Sequence, residues 1–139
     1  MTSKMSIPEM QEFLARDFAQ MKDMFEIVEV PPFGAKVRMR ITHENLRPGG
    51  TVSGPSMFTA VDCAFYIAIL AMIGPKALAA TTNCTINFMR KPAPADLIAE
   101  VKILKLGKVL CVGDVMLYSE GMADPVAHAT LTYSISKSI

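Results

Sequence analysis

No CxxC pair occurs in this sequence, and its three cysteines, Cys63, Cys84 and Cys111, stand in apolar surroundings without framework spacing. That pattern argues against a disulfide-stapled secreted domain and for a reducing compartment, so the cytoplasm is the expected location. Histidine is equally sparse. His43 and His128 lie far apart and share no ligand spacing with a cysteine, so no metal site is expected. Basic and acidic residues nearly cancel, 14 against 13, and no basic run is present. The electrostatic footprint of a nucleic-acid binder is therefore missing. The N-terminal MTSKMSIPEMQEF has no apolar stretch of the kind a signal peptide needs. A bilayer span asks for about 20 apolar residues. The unbroken apolar run from Cys63 to Ile73 is shorter, so no membrane partner is expected.

Hydrophobic residues make up 51% of the 139, and no linker, repeat or low-complexity tract divides the chain. One domain covering residues 1–139, with a sizeable core, is expected. Ser6, Pro8 and Glu9 form a capping-box signature ahead of Met10, Phe13, Leu14, Phe18 and Met21, which recur at helical spacing. This predicts a short N-terminal helix over SIPEMQEFLARDFAQMKDMF, with a break at Pro31-Pro32 and Gly34. KVRMRI alternates as a half-buried strand, with Lys36, Arg38 and Arg40 opposite Val37, Met39 and Ile41. THENLRPGGTVSG is a loop by its Asn, Pro and Gly content. Gly54 as N-cap and Pro55 at the first helical position then open a long helix that Gly74-Pro75 stops.

Strands follow. LAATTNCTINFM alternates Thr81, Asn83, Thr85 and Asn87 against Thr82, Cys84, Ile86 and Phe88. LIAEVKILKL and VLCVGDVMLYS flank a hairpin signal at Gly107-Lys108, and VAHATLTYSI closes the chain. Consecutive antiparallel strands beside one all-apolar helix predict an α+β fold, a curved sheet wrapped around one long buried helix. The open sheet edges are places a partner subunit could cover.

Between Gly49 and Pro75 a single charged side chain occurs, Asp62. A buried, unpaired carboxylate is costly, so this position asks for a function. Asp62 lies eight residues beyond Gly54, about 12 Å along the same helix. The helix start offers free backbone N–H groups to a developing oxyanion, with Gly54 and then Ser56 as donors, because Pro55 has no N–H. A donor and a base must both approach within about 3 Å of one reacting centre, which two ends of one segment cannot do. Two antiparallel copies about a twofold can, and the site would then occur twice in a homodimer.

The stretches LRPGGTVSGPSMFTAVDCA, TTNCTINFMRKPAPADLIAEVKILKLGK and PVAHATLTYSI resemble the hotdog-fold acyl-CoA thioesterases of the phenylacetate-pathway (PaaI-like) type, over roughly residues 35–136. The resemblance implies hydrolysis of an acyl-CoA without a cofactor, coenzyme A being part of the substrate, in homodimers that pair into tetramers. By position it gives Gly54 the oxyanion role and Asp62 that of general base or nucleophile from the other subunit. Thr81, with Thr82 one residue away, falls where the family holds a water beside the acid. Where the family writes His-Gly-Gly at the helix start, this chain has Ser53-Gly54-Pro55, and Ser53 still offers a hydrogen bond. The family's upstream asparagine falls near Arg47, with Asn45 out of register. Substrate-binding candidates are therefore Ser53, Arg47, Asn83 and the basic residues Arg90, Lys91 and Lys108, joined by Lys105, which suit the phosphates of coenzyme A. Two other readings stand beside this one. A hotdog hydratase would need a histidine near the helix, which is missing; a non-catalytic acyl-CoA-binding or sensing protein would tolerate the lost helix-start histidine and Arg47.

Overall fold

The computed structural model of the chain describes residues 4–75 and 79–135. The N-terminal capping box forms as its sequence predicts: Glu9 N–H donates to Ser6 Oγ at 3.2 Å and Ser6 N–H to Glu9 Oε1 at 2.9 Å. Helix α1 (Ile7–Asp17) buries Met10, Phe13 and Leu14. It is shorter than the apolar spacing suggests. Phe18 leaves helical geometry at φ −144°, and a 3-10 turn carries Ala19–Met21. Strand β1 (Phe25–Glu29) then begins at the last residue of the stretch read as helix. The 3-10 turn still buries Met21, so apolar spacing alone does not reveal where the helix stops.

Strand β2 (Gly34–Met39) pairs with β1 across the turn made by the double proline. Helix α2 (Gly54–Ile73) follows, and then β3 (Ala80–Phe88), β4 (Leu97–Leu106), β5 (Leu110–Ser119) and β6 (Ala127–Ser134). The six strands form one antiparallel sheet in the order β1-β2-β4-β5-β6-β3. Residues alternate cleanly across it: Leu97, Ala99, Val101 and Ile103 of β4 point to the core while their neighbours face outward.

Of the 20 residues of α2, 13 are buried, and every one from Ala64 to Met72 is enclosed. By length and composition α2 could cross a bilayer; here it is the core helix inside the sheet's curve. Its first half departs from the expectation of enclosure on every side. Pro55, Phe58, Thr59, Asp62 and Cys63 recur at helical spacing as a stripe the sheet leaves partly uncovered. Helix and sheet come close at Gly113 of β5, where an added Cβ would meet the Lys102 carbonyl oxygen of β4 and lie 2.6 Å from Phe65 Cε1 of the helix. Replacing Gly113 by valine should therefore destabilise the fold by about 1–3 kcal/mol or more through overpacking. A lowered urea midpoint at unchanged slope would be the reading.

Candidate active site

The start of α2 is capped by Ser53, not by Gly54. Ser56 N–H donates to Ser53 Oγ at 3.2 Å, and Gly54 becomes the first helical residue, with Pro55 the second. Serine and glycine are both good N-caps, and proline suits either early position, so the sequence left the register open by one residue. This changes the donor inventory. Ser56 N–H, expected to be available, is spent on the cap, and Met57 N–H donates to Ser53 O at 3.1 Å. Pro55 has none. Gly54 N–H is the first-turn donor without an acceptor among the described residues.

Around Ser53 the hydroxyls and amides are already committed. Ser53 Oγ donates to Ser56 Oγ at 3.0 Å, and Asn45 Nδ2 donates to the same oxygen at 3.1 Å. Asn45 Oδ1 in turn accepts from Thr42 N–H at 2.8 Å. Asn45 thus braces the helix start and is not turned toward Gly54's open side. Ser53 does the same work: its hydroxyl, expected at the substrate, is held by the helix cap in the protomer. Ser53→Ala should cost about 1 kcal/mol of stability, the usual value of an N-cap, measurable by chemical denaturation.

Arg47 takes the place beside Gly54. Arg47 N–H donates to Thr51 O at 2.9 Å and Gly50 N–H to Arg47 O at 3.0 Å, closing a tight turn. Gly49 and Gly50 hold φ of 101° and 83° in it, a conformation that favours glycine. A groove of about 430 Å³ opens there, and Arg47, Gly54, Met57, Phe88, Arg90 and Lys91 are among its walls. Arg90 is anchored by donating from Nη1 to Pro125 O at 2.8 Å. Arg47 and Lys91 make no ion pair among the described residues. Lys108 is not part of this groove. It lies in the β4–β5 turn, beyond Leu106↔Cys111, at the end of the sheet where Leu110 and Ala80 both pair with Ser134. Phe88, Arg90 and Lys91 stand at the opposite end.

At the Ala80 end sits Asp62. It is partly exposed in the protomer, not sealed in the core, and it has partners. Its Oδ1 accepts from Thr81 Oγ1 at 2.7 Å and from the Tyr133 hydroxyl at 3.0 Å, and that hydroxyl also lies 3.1 Å from the Asp62 carbonyl. Oδ2 accepts no hydrogen bond, and no cation pairs with Asp62, among the described residues. Strict alternation would put Thr81 and Asn83 on one face. A bulge between them leaves Thr82 as the extra residue, its hydroxyl bonded to Thr132 O at 3.1 Å. Thr81 therefore turns toward the helix, while Asn83, alternating with the inward Cys84 and Ile86, faces outward. Asn83 is not brought to the carboxylate.

Tyr133 escaped the reading of the sequence. Its signal was the inward series Ala127, Ala129, Leu131 and Tyr133, which places a phenol in the core where it needs a hydrogen-bond partner. The nearby thiols are poor nucleophiles: burial first, then the Asp62 charge, pushes Cys63 up to about 12 and raises Cys84 as well. His128 bonds Asp114 at 2.9 Å on the outer sheet face and His43 lies in a 3-10 turn, and neither joins the site.

A long helix in the curve of a six-stranded antiparallel sheet is the hotdog fold, as structural comparison bears out. Thioesterase superfamily member 2 from zebrafish superposes with a TM-score of 0.81 at 19% identity, over 96% of this chain and 100% of that one. A variant of the phenylacetic acid degradation protein PaaI from Thermus thermophilus gives 0.71 at 24% identity, over 84% and 97%. A candidate thioesterase from Silicibacter sp. TM1040 is 43% identical, with a TM-score of 0.89 over 96% of this chain and 94% of that one. Residues 49–126 match the thioesterase superfamily, and the chain belongs to that family. Among curated proteins none matches it.

Proposed function

We propose that this protein is an acyl-CoA thioesterase, cleaving an acyl-CoA to a carboxylic acid and coenzyme A, with each site shared between two chains. One observation carries the reading. Asp62 and Gly54 flank opposite ends of the same edge strand, β3: Asp62 bonds Thr81 at one end, and a Cβ on Gly54 would sit 3.6 Å from the Phe88 ring at the other. Among the described residues that strand has one neighbour, β6, and its outer edge is free to pair. Antiparallel pairing of β3 with its own copy, about a twofold near the strand centre, carries the Asp62 end of one chain toward the Gly54 end of the other. The uncovered stripe of α2 runs along the same boundary.

In that arrangement the Gly54 N–H, reinforced by the helix dipole, takes the developing oxyanion of the thioester carbonyl. The partner's Asp62 serves as base, taking a proton from the water that attacks the carbonyl, or as nucleophile, forming a mixed anhydride that water then hydrolyses to free the acid and restore Asp62. The C–S bond breaks, and the thiolate of coenzyme A leaves and is protonated. Arg47, Arg90 and Lys91 beside Gly54 suit the phosphates of the nucleotide handle. The site needs no resident metal or cofactor for these steps. Three unpaired thiols fit a cytoplasmic location.

The test is thiol release across short, aromatic and long acyl-CoAs. Asp62→Asn should lower kcat by about 10²–10⁴-fold, the range for loss of a general base, while light scattering still finds a dimer. Unchanged turnover in that variant, or a fully active monomer, overturns the shared site; binding without thiol release by the wild type selects a non-catalytic acyl-CoA-binding role. A second expectation concerns the cations. Arg47→Ala with Lys91→Ala should raise KM for acyl-CoA by about tenfold or more, as loss of charge-assisted phosphate bonds would. The KM of the matching acyl-pantetheine, which lacks the nucleotide, should stay the same.

A further inference from the structure

The geometry points to Tyr133 as a positioning residue for Asp62: with Thr81 it holds one carboxylate oxygen, Oδ1, so that Oδ2 alone is presented for reaction. This inference rests on the thioesterase reading above and adds a residue to it.

Thr81 and Tyr133 are direct cross-strand partners in β3 and β6, so their hydroxyls are set by one rung of the sheet. Both reach the same atom, at 2.7 and 3.0 Å. Tyr133 also lies 3.1 Å from the backbone carbonyl of Asp62, which ties the side chain to its own main chain and restrains its rotation. The bulge at Thr82 is what brings Thr81 into this rung facing the helix. Tyr133 itself is buried, with its ring 5.4 Å from that of Phe65 and 6.3 Å from that of Tyr66, so it cannot swing away. Burial, and after it the charge of Asp62, pushes the phenol's pKa well above its ordinary value, so it stays a donor at any physiological pH. Oδ2 has no such partner among the described residues. Both donors are neutral hydroxyls, so they fix the carboxylate without pairing it with a cation.

The experiment is steady-state hydrolysis by Tyr133→Phe, which keeps the ring and its packing. Its kcat should fall by about 10- to 100-fold, the worth of one hydrogen bond to a charged group, with KM within about twofold of wild type and the thermal midpoint nearly unchanged. Thr81→Val, on the exposed edge, should show the same kcat-only loss, and Thr81→Ser should recover most of it. The double variant should lose less than the product of the single losses, because both hydroxyls act on one atom. If Asp62→Asn abolishes hydrolysis but Tyr133→Phe keeps wild-type kcat, the positioning role is overturned and the thioesterase reading stands. A fall in thermal midpoint and in kcat and KM together would mark a structural role only and would also overturn it. Wild-type protein that releases no thiol from any acyl-CoA overturns both.

Discussion

Helix α2 has almost no polar surface to offer water, and the rest of the molecule is arranged around that constraint. An apolar cylinder of 20 residues needs protein on all sides, and a sheet supplies it only by curling. The strands do so completely over Ala64–Met72, with Gly113 letting β5 come in under Phe65. The coverage ends at β3. Where the sheet stops, the helix shows Pro55, Phe58, Thr59 and Asp62, and the strand shows an unpaired edge. These are two sides of one boundary. Phe58 at 39% exposure, Phe88 at 52% and Met89 at 45% all lie along it.

That boundary resolves the difficulty raised by a lone carboxylate in an apolar segment. A fully enclosed Asp62 would carry a heavy desolvation cost. In the protomer it keeps partial contact with water, and two hydroxyls on neighbouring strands supply hydrogen bonds without supplying charge. Partial exposure and neutral donors together let the segment stay apolar while the carboxylate keeps its hydrogen-bond partners. Closing a second chain over the same stripe, as proposed above, would then remove water from a group whose hydrogen bonds are already in place, which is how a preorganised site gains strength.

What was legible in the sequence was local. The Ser6–Glu9 capping box, the helix stop at Gly74 and the hairpin at Gly107-Lys108 each depend on residues a few positions apart, and each formed where expected. Asp62 could be singled out because its contrast with its neighbours is local too. What was not legible depends on distant partners or on one-residue choices. Tyr133 meets Asp62 across 71 positions of sequence. The bulge at Thr82 exists only relative to β6, so nothing within β3 announces that Thr81 and Asn83 part company. Arg47 and Asn45 are two residues apart, yet one lines the groove and the other braces the helix, because Asn45 ends the 3-10 turn His43–Asn45 while Arg47 opens the Gly49-Gly50 turn. Lys108 shared its charge with Arg90 and Lys91 but not their end of the sheet; composition cannot see that.

The helix start Ser53-Gly54-Pro55, which departs from the His-Gly-Gly pattern that the resemblance implies, is best understood through the backbone. The serine closes the cap and uses up Ser56 N–H, and the proline contributes none, so among the described residues the first turn is left with one open donor, at Gly54. Neither packing nor conformation within the protomer requires glycine at that position. Its φ lies outside the region that favours glycine, and an added Cβ would meet nothing nearer than the Phe88 ring at 3.6 Å, an ordinary contact. Glycine is thus tolerated there by the fold of one chain and not demanded by it. Leaving Cβ off clears the approach to the N–H, and a backbone amide with a clear approach at a helix start is what an oxyanion needs. On the proposed reading the donor belongs to the main chain, so loss of the neighbouring histidine changes the rim of the site and not the group that polarises the carbonyl.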